Sequence, residues 1–205
     1  MMQNFTHPFP FLKHLDVPNI TTLFNSSLAS LVIYCAYTEE LLLSAMLICL
    51  AAILDVVDGH LARKYFSTNK QARDFGKNLD SFADLLNFSI APAFITFQLV
   101  PSTLGGFLAG TLVMTAVLRL SLFGLPGRDN SKHYQGLPTT YSGFIFSLAL
   151  LILPGVQHSQ QYVVALVATT ALLQVSNLRL PKYSTTATIF MFVSAFGITA
   201  FIIHT

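Results

Sequence analysis

Four aspartates, Asp55, Asp58, Asp80 and Asp84, stand inside apolar runs of a chain that carries few charges elsewhere. On a helix of 3.6 residues per turn, Asp58, Gly59, Ala62 and Arg63 follow Asp55 by three, four, seven and eight positions and share its face. Gly76, Asp80, Asp84 and Asn87 repeat by four, four and three, and again share one face. Two antiparallel helices joined by the polar stretch 64–75 would bring these faces together. Carboxylates packed side by side away from water repel one another unless cations neutralise them. Arg63 and Arg73 can neutralise two. Hard divalent ions held through oxygen, Mg2+ or Mn2+, are the simpler alternative. A metal pair bridged by aspartates can clamp a diphosphate and stabilise charge on attacking and leaving oxygens. Gly59 and Ala62 leave room on the same face for a bulky ligand. A buried salt-bridge network between two helices presents the same spacing, as does the acidic cluster of a cation-coupled transporter. The residues alone leave these readings open.

The elements that must position these groups follow from composition. Of 205 residues, 53% are hydrophobic and 10% charged, and the mean hydropathy is +0.62. A soluble domain carries about a quarter charged residues. The chain therefore reads as an all-α, polytopic membrane bundle. Apolar runs over 20–37, 41–65, 75–100 and 107–122 give four spans, with Pro101–Gly106 as a break. Residues 133–178 carry no charged side chain and hold two more spans around a turn at 154–161. A seventh follows over 183–205. Residues 1–18, with Phe5, Phe9 and Phe11, read as a juxtamembrane segment at the interface, without the pattern of a cleaved signal. Cys35 and Cys49 lie in apolar runs without ligand-spaced partners and read as small buried hydrophobes.

If Lys13 marks a cytoplasmic N-terminus, the connections 38–40, 101–106 and 154–161 face outward, and none contains Lys or Arg. All 11 Lys and Arg then fall on the cytoplasmic side or just inside it. This is the positive-inside pattern, and it places the aspartates at the cytoplasmic face of a cell membrane. Arg119, Arg128, Lys132 and Arg179 reach that face from different parts of the chain. Each is a candidate for a phosphate or for the carboxylate of a second substrate, since the arginine fork suits such groups, although basic loops also serve topology alone. His60 lies about 100° from the aspartate face and reads as interfacial. No continuous basic stripe suggests nucleic acid.

The pattern Asp55-x2-Asp58-Gly59-x2-Ala62-Arg63 … Gly76-x3-Asp80-x3-Asp84 resembles the signature of the CDP-alcohol phosphotransferases, with eight positions fixed in type. The gap from Arg63 to Gly76 is longer than in most members and falls between helices. PNITTLFN at 18–25 resembles the first-helix start of the family. LDSFADLLNFSIAPAF, LRLSLF at 118–123, GLPTT at 136–140 and VSNLRLPKY at 175–183 resemble its phosphatidylserine-synthase branch, which more often shows Ser and Gly where Asn87 and Ser89 stand.

The resemblance implies a six-helix core over 19–183, with 184–205 an additional C-terminal span. It implies that Asp55, Asp58, Asp80 and Asp84 hold two divalent ions, Mg2+ or Mn2+. Asp58, Gly59, Ala62, Arg63, Gly76 and Asp80 would meet the CDP diphosphate, and Asp84 would take a proton from the incoming alcohol. The implied substrates are CDP-diacylglycerol and L-serine, the acceptor side falling to Arg119, Arg128, Lys132, Arg179 and Asn87. Glycerol 3-phosphate, inositol phosphate or an amino alcohol is the alternative acceptor. Family members are commonly homodimers. A membrane prenyltransferase also uses Asp-rich helices and Mg2+, but its motifs usually lie in separate repeats, and this chain has one compact motif.

Overall fold

Local chemistry sets the helix boundaries. The computed structural model describes residues 9–64, 70–125, 133–152, 157–182 and 184–204. A 3-10 turn, Pro10–His14, leads into α1 (Val17–Tyr37). Asp16 caps α1 by accepting a hydrogen bond from the Asn19 amide at 3.0 Å, and Pro18 sits in the first turn, where no N–H is needed. The chain reverses through Glu39, whose φ is 65°. It returns as α2 (Leu41–Lys64).

Next comes α3 (Lys70–Leu85), which starts five residues before the expected 75, so part of the stretch read as loop is helix. It continues without a break through a π-helical turn, Leu86–Ile90, into α4 (Ala91–Leu99). The π turn has a covalent cause: Pro92 has no N–H to offer the Phe88 carbonyl one turn back, so the ladder widens ahead of it. Ser102 then caps α5 (Thr103–Phe123), its hydroxyl accepting from the Gly105 amide at 3.2 Å. The break is thus shorter than Pro101–Gly106, because a cap rather than the glycine pair decides where the helix begins.

The last part of the chain holds β1 (His133–Gln135), α6 (Thr139–Ile152), α7 (Ser159–Val175), β2 (Arg179–Pro181) and α8 (Thr185–His204). The two strands pair antiparallel, Tyr134 opposite Leu180. The all-α expectation therefore gains a small two-stranded ladder joining the connection before α6 to the one after α7.

Four stretches are long and apolar enough to cross a membrane: Val17–Tyr37, Leu41–Ala62, Gln71–Leu99 and Thr103–Phe123; α6 is a shorter apolar helix. Large apolar side chains cover the outside, with Phe107 71% and Phe190 75% exposed. This is a membrane protein, and lipid takes the place of water around it. Inside, small residues on α2, namely Ala45, Cys49, Ala51 and Ala52, are completely buried and allow close helix approach. Ser44 donates to the Val32 carbonyl at 3.2 Å, and the Cys49 thiol meets the Ser147 hydroxyl at 3.0 Å. These contacts fix α1 against α2, and α2 against α6.

Candidate active site

The site begins with α1, whose buried polar stripe Asn19, Thr22 and Asn25 repeats every three residues down an otherwise apolar helix. The Thr22 hydroxyl donates to Asp58 Oδ2 at 2.8 Å, joining α1 to the end of α2. Asn19 is held by its own side-chain amide, which donates to the His14 carbonyl at 2.8 Å. Its Oδ1 would lie 2.5 Å from a Cβ built on Gly76. A side chain at Gly76 would push α1 and α3 apart. Gly76 thus has a reason to be glycine in helix packing, whatever it does for a diphosphate.

The aspartates converge as their spacing implies. Asp55, Asp58 and Asp80 each offer a carboxylate oxygen, all within 4.8 Å of one another. Opposite oxygens around one Mg2+ lie about 4.2 Å apart, twice the metal–oxygen length, so small side-chain movements let the three share a cation. Asp84 stands one turn beyond Asp80 on α3. Its Oδ2 accepts from the Thr139 hydroxyl at 2.9 Å, and Asp55 Oδ2 accepts from Thr140 at 3.0 Å. Asp84 Oδ1 is buried and finds no hydrogen-bond partner among the described residues. Buried carboxylates of this kind demand positive charge, and the oxygen-only donor set suits a hard divalent ion.

The start of α6 positions the two threonines. Gly136 turns the chain with a φ of 73°. The Gly136 amide donates to the Leu178 carbonyl at 2.8 Å, and the Leu137 amide to the Leu173 carbonyl at 2.9 Å. Further along, a Cβ on Gly143 would strike the Phe88 ring, so glycine lets α6 close upon the π turn. Arg119, from the last turns of α5, is buried and donates through Nη1 to Thr139 Oγ1 at 3.4 Å. Its guanidinium also lies 5.9 Å from the Phe123 ring centre. The Thr139 hydroxyl accepts from Arg119 and donates to Asp84, which links the arginine to the carboxylate through one side chain.

Asn87 is fully buried and donates to the Asn25 carbonyl at 3.0 Å and to Asn25 Oδ1 at 3.3 Å. Gly59, Ala62 and Arg63 follow the aspartates along α2, Ala62 being exposed. Arg179 is exposed on β2, opposite Gln135. Hydrogen bonds tie Arg119, but not Arg179, to the aspartate site among the described residues. Arg128 and Lys132 lie outside the described residues. Both cysteines are buried and unpaired, as expected.

Sequence reasoning missed Asn19, Thr22, Asn25, Thr139 and Thr140 as site residues. The i, i+3 polar stripe on α1 and the adjacent threonines after Pro138 were visible signals, but only the fold shows that they meet aspartates.

Comparison with known proteins bears on the family of the chain. The sequence model of one family, described as CDP-alcohol phosphatidyltransferase, matches residues 15–203. The chain is 31% identical over 186 residues to the CDP-diacylglycerol–serine O-phosphatidyltransferase of Methanocaldococcus jannaschii, covering 90% of this chain and 83% of that one. It is 26% identical to the protein of the same name from Helicobacter pylori, covering 81% and 72%. It is 32% identical over 126 residues to the archaetidylserine synthase of Methanothermobacter thermautotrophicus, covering 60% and 53%.

Proposed function

The chain belongs to the CDP-alcohol phosphatidyltransferase family and is an enzyme of phospholipid synthesis, and we propose that it transfers the phosphatidyl group of CDP-diacylglycerol to the hydroxyl of L-serine. The observation that carries this reading is Asp84, which stands beside the Asp55–Asp58–Asp80 group with one buried oxygen unpartnered among the described residues. In the reaction the serine oxygen forms a bond to the lipid-bearing phosphorus, and the bond from that phosphorus to the CMP oxygen breaks. The hydroxyl proton passes to Asp84, and CMP leaves as the anion.

Asp55, Asp58, Asp80 and Asp84 would hold two divalent ions, Mg2+ or Mn2+, and such ions supply positive charge to the diphosphate oxygens. The protein's own part is positioning. Thr22, Thr139 and Thr140 each occupy one oxygen of Asp58, Asp84 and Asp55 respectively, which restrains the orientation of each carboxylate. Arg119 keeps positive charge near Asp84 and offers a guanidinium to the acceptor's carboxylate. Gly59, Ala62, Arg63 and Gly76 line the approach of the CDP diphosphate. Arg179 is a candidate for a phosphate or for the acceptor's carboxylate, as are Arg128 and Lys132, which lie outside the described residues. The active site faces the cytoplasm of a cell membrane, an orientation supported by the one-sided Lys and Arg, and a homodimer is the expected assembly.

The relatives named for serine transfer support the choice of acceptor. The test is CMP release by purified protein given CDP-diacylglycerol, Mg2+ or Mn2+, and one of several alcohols. Release with L-serine, and not with glycerol 3-phosphate or inositol, is the expected result. Release only with another alcohol would keep the family and overturn the acceptor.

A further inference from the structure

Arg119 stands on α5 and Thr139 on α6, yet these two helices barely touch, since α5 packs chiefly along α7 and α6 chiefly along α2. The hydrogen bond between them, Arg119 Nη1 to Thr139 Oγ1, measures 3.4 Å. That is the long end for such a bond, so a slip of a few tenths of an ångström would lose it. Something other than direct packing must hold the separation. Gln174, in the last turn of α7, is 2% exposed and reaches both helices. The Thr115 hydroxyl on α5 donates to Gln174 Oε1 at 3.0 Å, and Gln174 Nε2 donates to Ser142 Oγ on α6 at 2.8 Å. Thr115 precedes Arg119 by four residues, and Ser142 follows Thr139 by three. Each end of the bridge thus lies one helical turn from a residue of the Arg119–Thr139–Asp84 chain. Ser142 closes the connection, its hydroxyl donating to the Thr139 carbonyl at 2.8 Å.

We propose that Gln174 is a positioning residue for the transfer reaction, spacing α5 and α6 so that Arg119 and Thr139 meet beside Asp84. This deepens the reading of Asp84 as proton acceptor and rests on it. The available protons fix the direction of the amide. Ser142 gives its one hydroxyl proton to the Thr139 carbonyl, so it accepts from Gln174, which leaves Oε1 for Thr115. Glutamine suits the place because its end carries both a donor and an acceptor, whereas ionised glutamate has no donor and methionine only a weak acceptor. The backbone seats the same turn of α7 against the start of α6: the Leu137 amide donates to the Leu173 carbonyl, and Gly136 leaves its open side to the Gln174 carbonyl. Neither hydroxyl depends on Gln174 to place its proton. Thr115 has the Thr111 carbonyl at 3.0 Å as an alternative acceptor, and Ser142 keeps the Thr139 carbonyl. Removing the amide therefore strands no hydroxyl proton, and its cost falls on spacing rather than on folding.

The experiment measures CMP release from CDP-diacylglycerol by the full-length protein in detergent at saturating Mn2+, with whichever alcohol the wild type turns over. Gln174→Met, Thr139→Val and the double variant are compared, and melting temperatures are taken on the same preparations. Gln174→Met should lower kcat about three- to tenfold, the scale of one lost hydrogen bond, with donor KM and melting temperature close to wild type. Because Gln174 acts through Thr139, the double variant should be little slower than Thr139→Val alone, whereas independent effects would multiply. Ser142→Ala cuts the bridge at its α6 end and should show the same coupling to Thr139→Val. Wild-type kcat in Gln174→Met, or a double variant as slow as the product of the two singles, overturns the proposal. The same outcomes in Ser142→Ala overturn it where Gln174→Met fails to fold. Wild-type kcat in Thr139→Val overturns the Asp84 reading and the proposal with it, a result distinct from the others.

Discussion

Asp84 makes the sharpest demand on the chemistry of any residue in this protein. Its Oδ2 is tied to Thr139 at 2.9 Å, and its Oδ1 is buried and free of partners among the described residues. Replacing it with Asn keeps the shape and removes the proposed base. At saturating Mn2+, Asp84→Asn should lower kcat by about a hundred- to ten-thousandfold, the usual span for general-base catalysis, and should raise the Mn2+ concentration needed for donor binding, since the carboxylate would also hold a metal. Rate and donor binding measured on one preparation check this. Thr139→Val should act more gently. It removes a hydrogen bond to Asp84 and one from Arg119, and about tenfold in kcat is the expected cost, with KM for the donor little changed. If Thr139→Val matched Asp84→Asn in severity, the threonine would be more than a positioning residue.

Element by element, the helices bring these residues together because glycines and a proline sit where side chains or N–H groups would interfere. Gly143 meets the Phe88 side chain, and Gly136 turns at a φ of 73° with the Gln174 carbonyl against its open side. Gly143→Leu should separate α6 from the π turn, destabilise the protein by about 1–3 kcal/mol through overpacking, and move Thr139 and Thr140 away from Asp84 and Asp55. A melting curve and an activity assay on the same variant test both consequences. Activity retained at wild-type level would show that α6 need not approach so closely.

The same elements mark where the sequence was legible. The helical aspartate stripes were readable because a period of 3.6 places i, i+3 and i+4 on one face in any context. The π turn was not, since residues 75–100 read as one unbroken apolar span and Pro92 alone signalled a fault in the ladder. The β1–β2 ladder was also invisible. Three-residue strands carry too little alternation, and their pairing joins His133–Gln135 to residues more than forty positions away.

At the level of the whole molecule, composition decided most of the fold. A chain that is 10% charged can be covered only by lipid, and a bilayer requires every backbone group to be satisfied within helices. What composition could not give was which polar residues meet. Thr22, Thr139 and Thr140 are ordinary in apolar helices, where their hydroxyls usually bond back to their own backbone, and only the assembled bundle turns them toward carboxylates. The bundle also concentrates four acidic side chains at its charged end. Removing divalent ions with EDTA should therefore abolish turnover and lower the melting temperature, and Mg2+ or Mn2+ should restore both. Full activity in EDTA would show that turnover needs no divalent metal.

Attack by the serine hydroxyl oxygen itself on the lipid-bearing phosphorus, at the Asp84 site, leaves a mark in the product. L-serine carrying heavy oxygen in its hydroxyl, incubated with CDP-diacylglycerol, Mn2+ and the purified protein, tests it by mass spectrometry of the lipid product. The expected product is phosphatidylserine that retains the heavy oxygen, formed together with CMP and lost in Asp84→Asn. Phosphatidylserine without the label, or labelled product made equally well by Asp84→Asn, would contradict it.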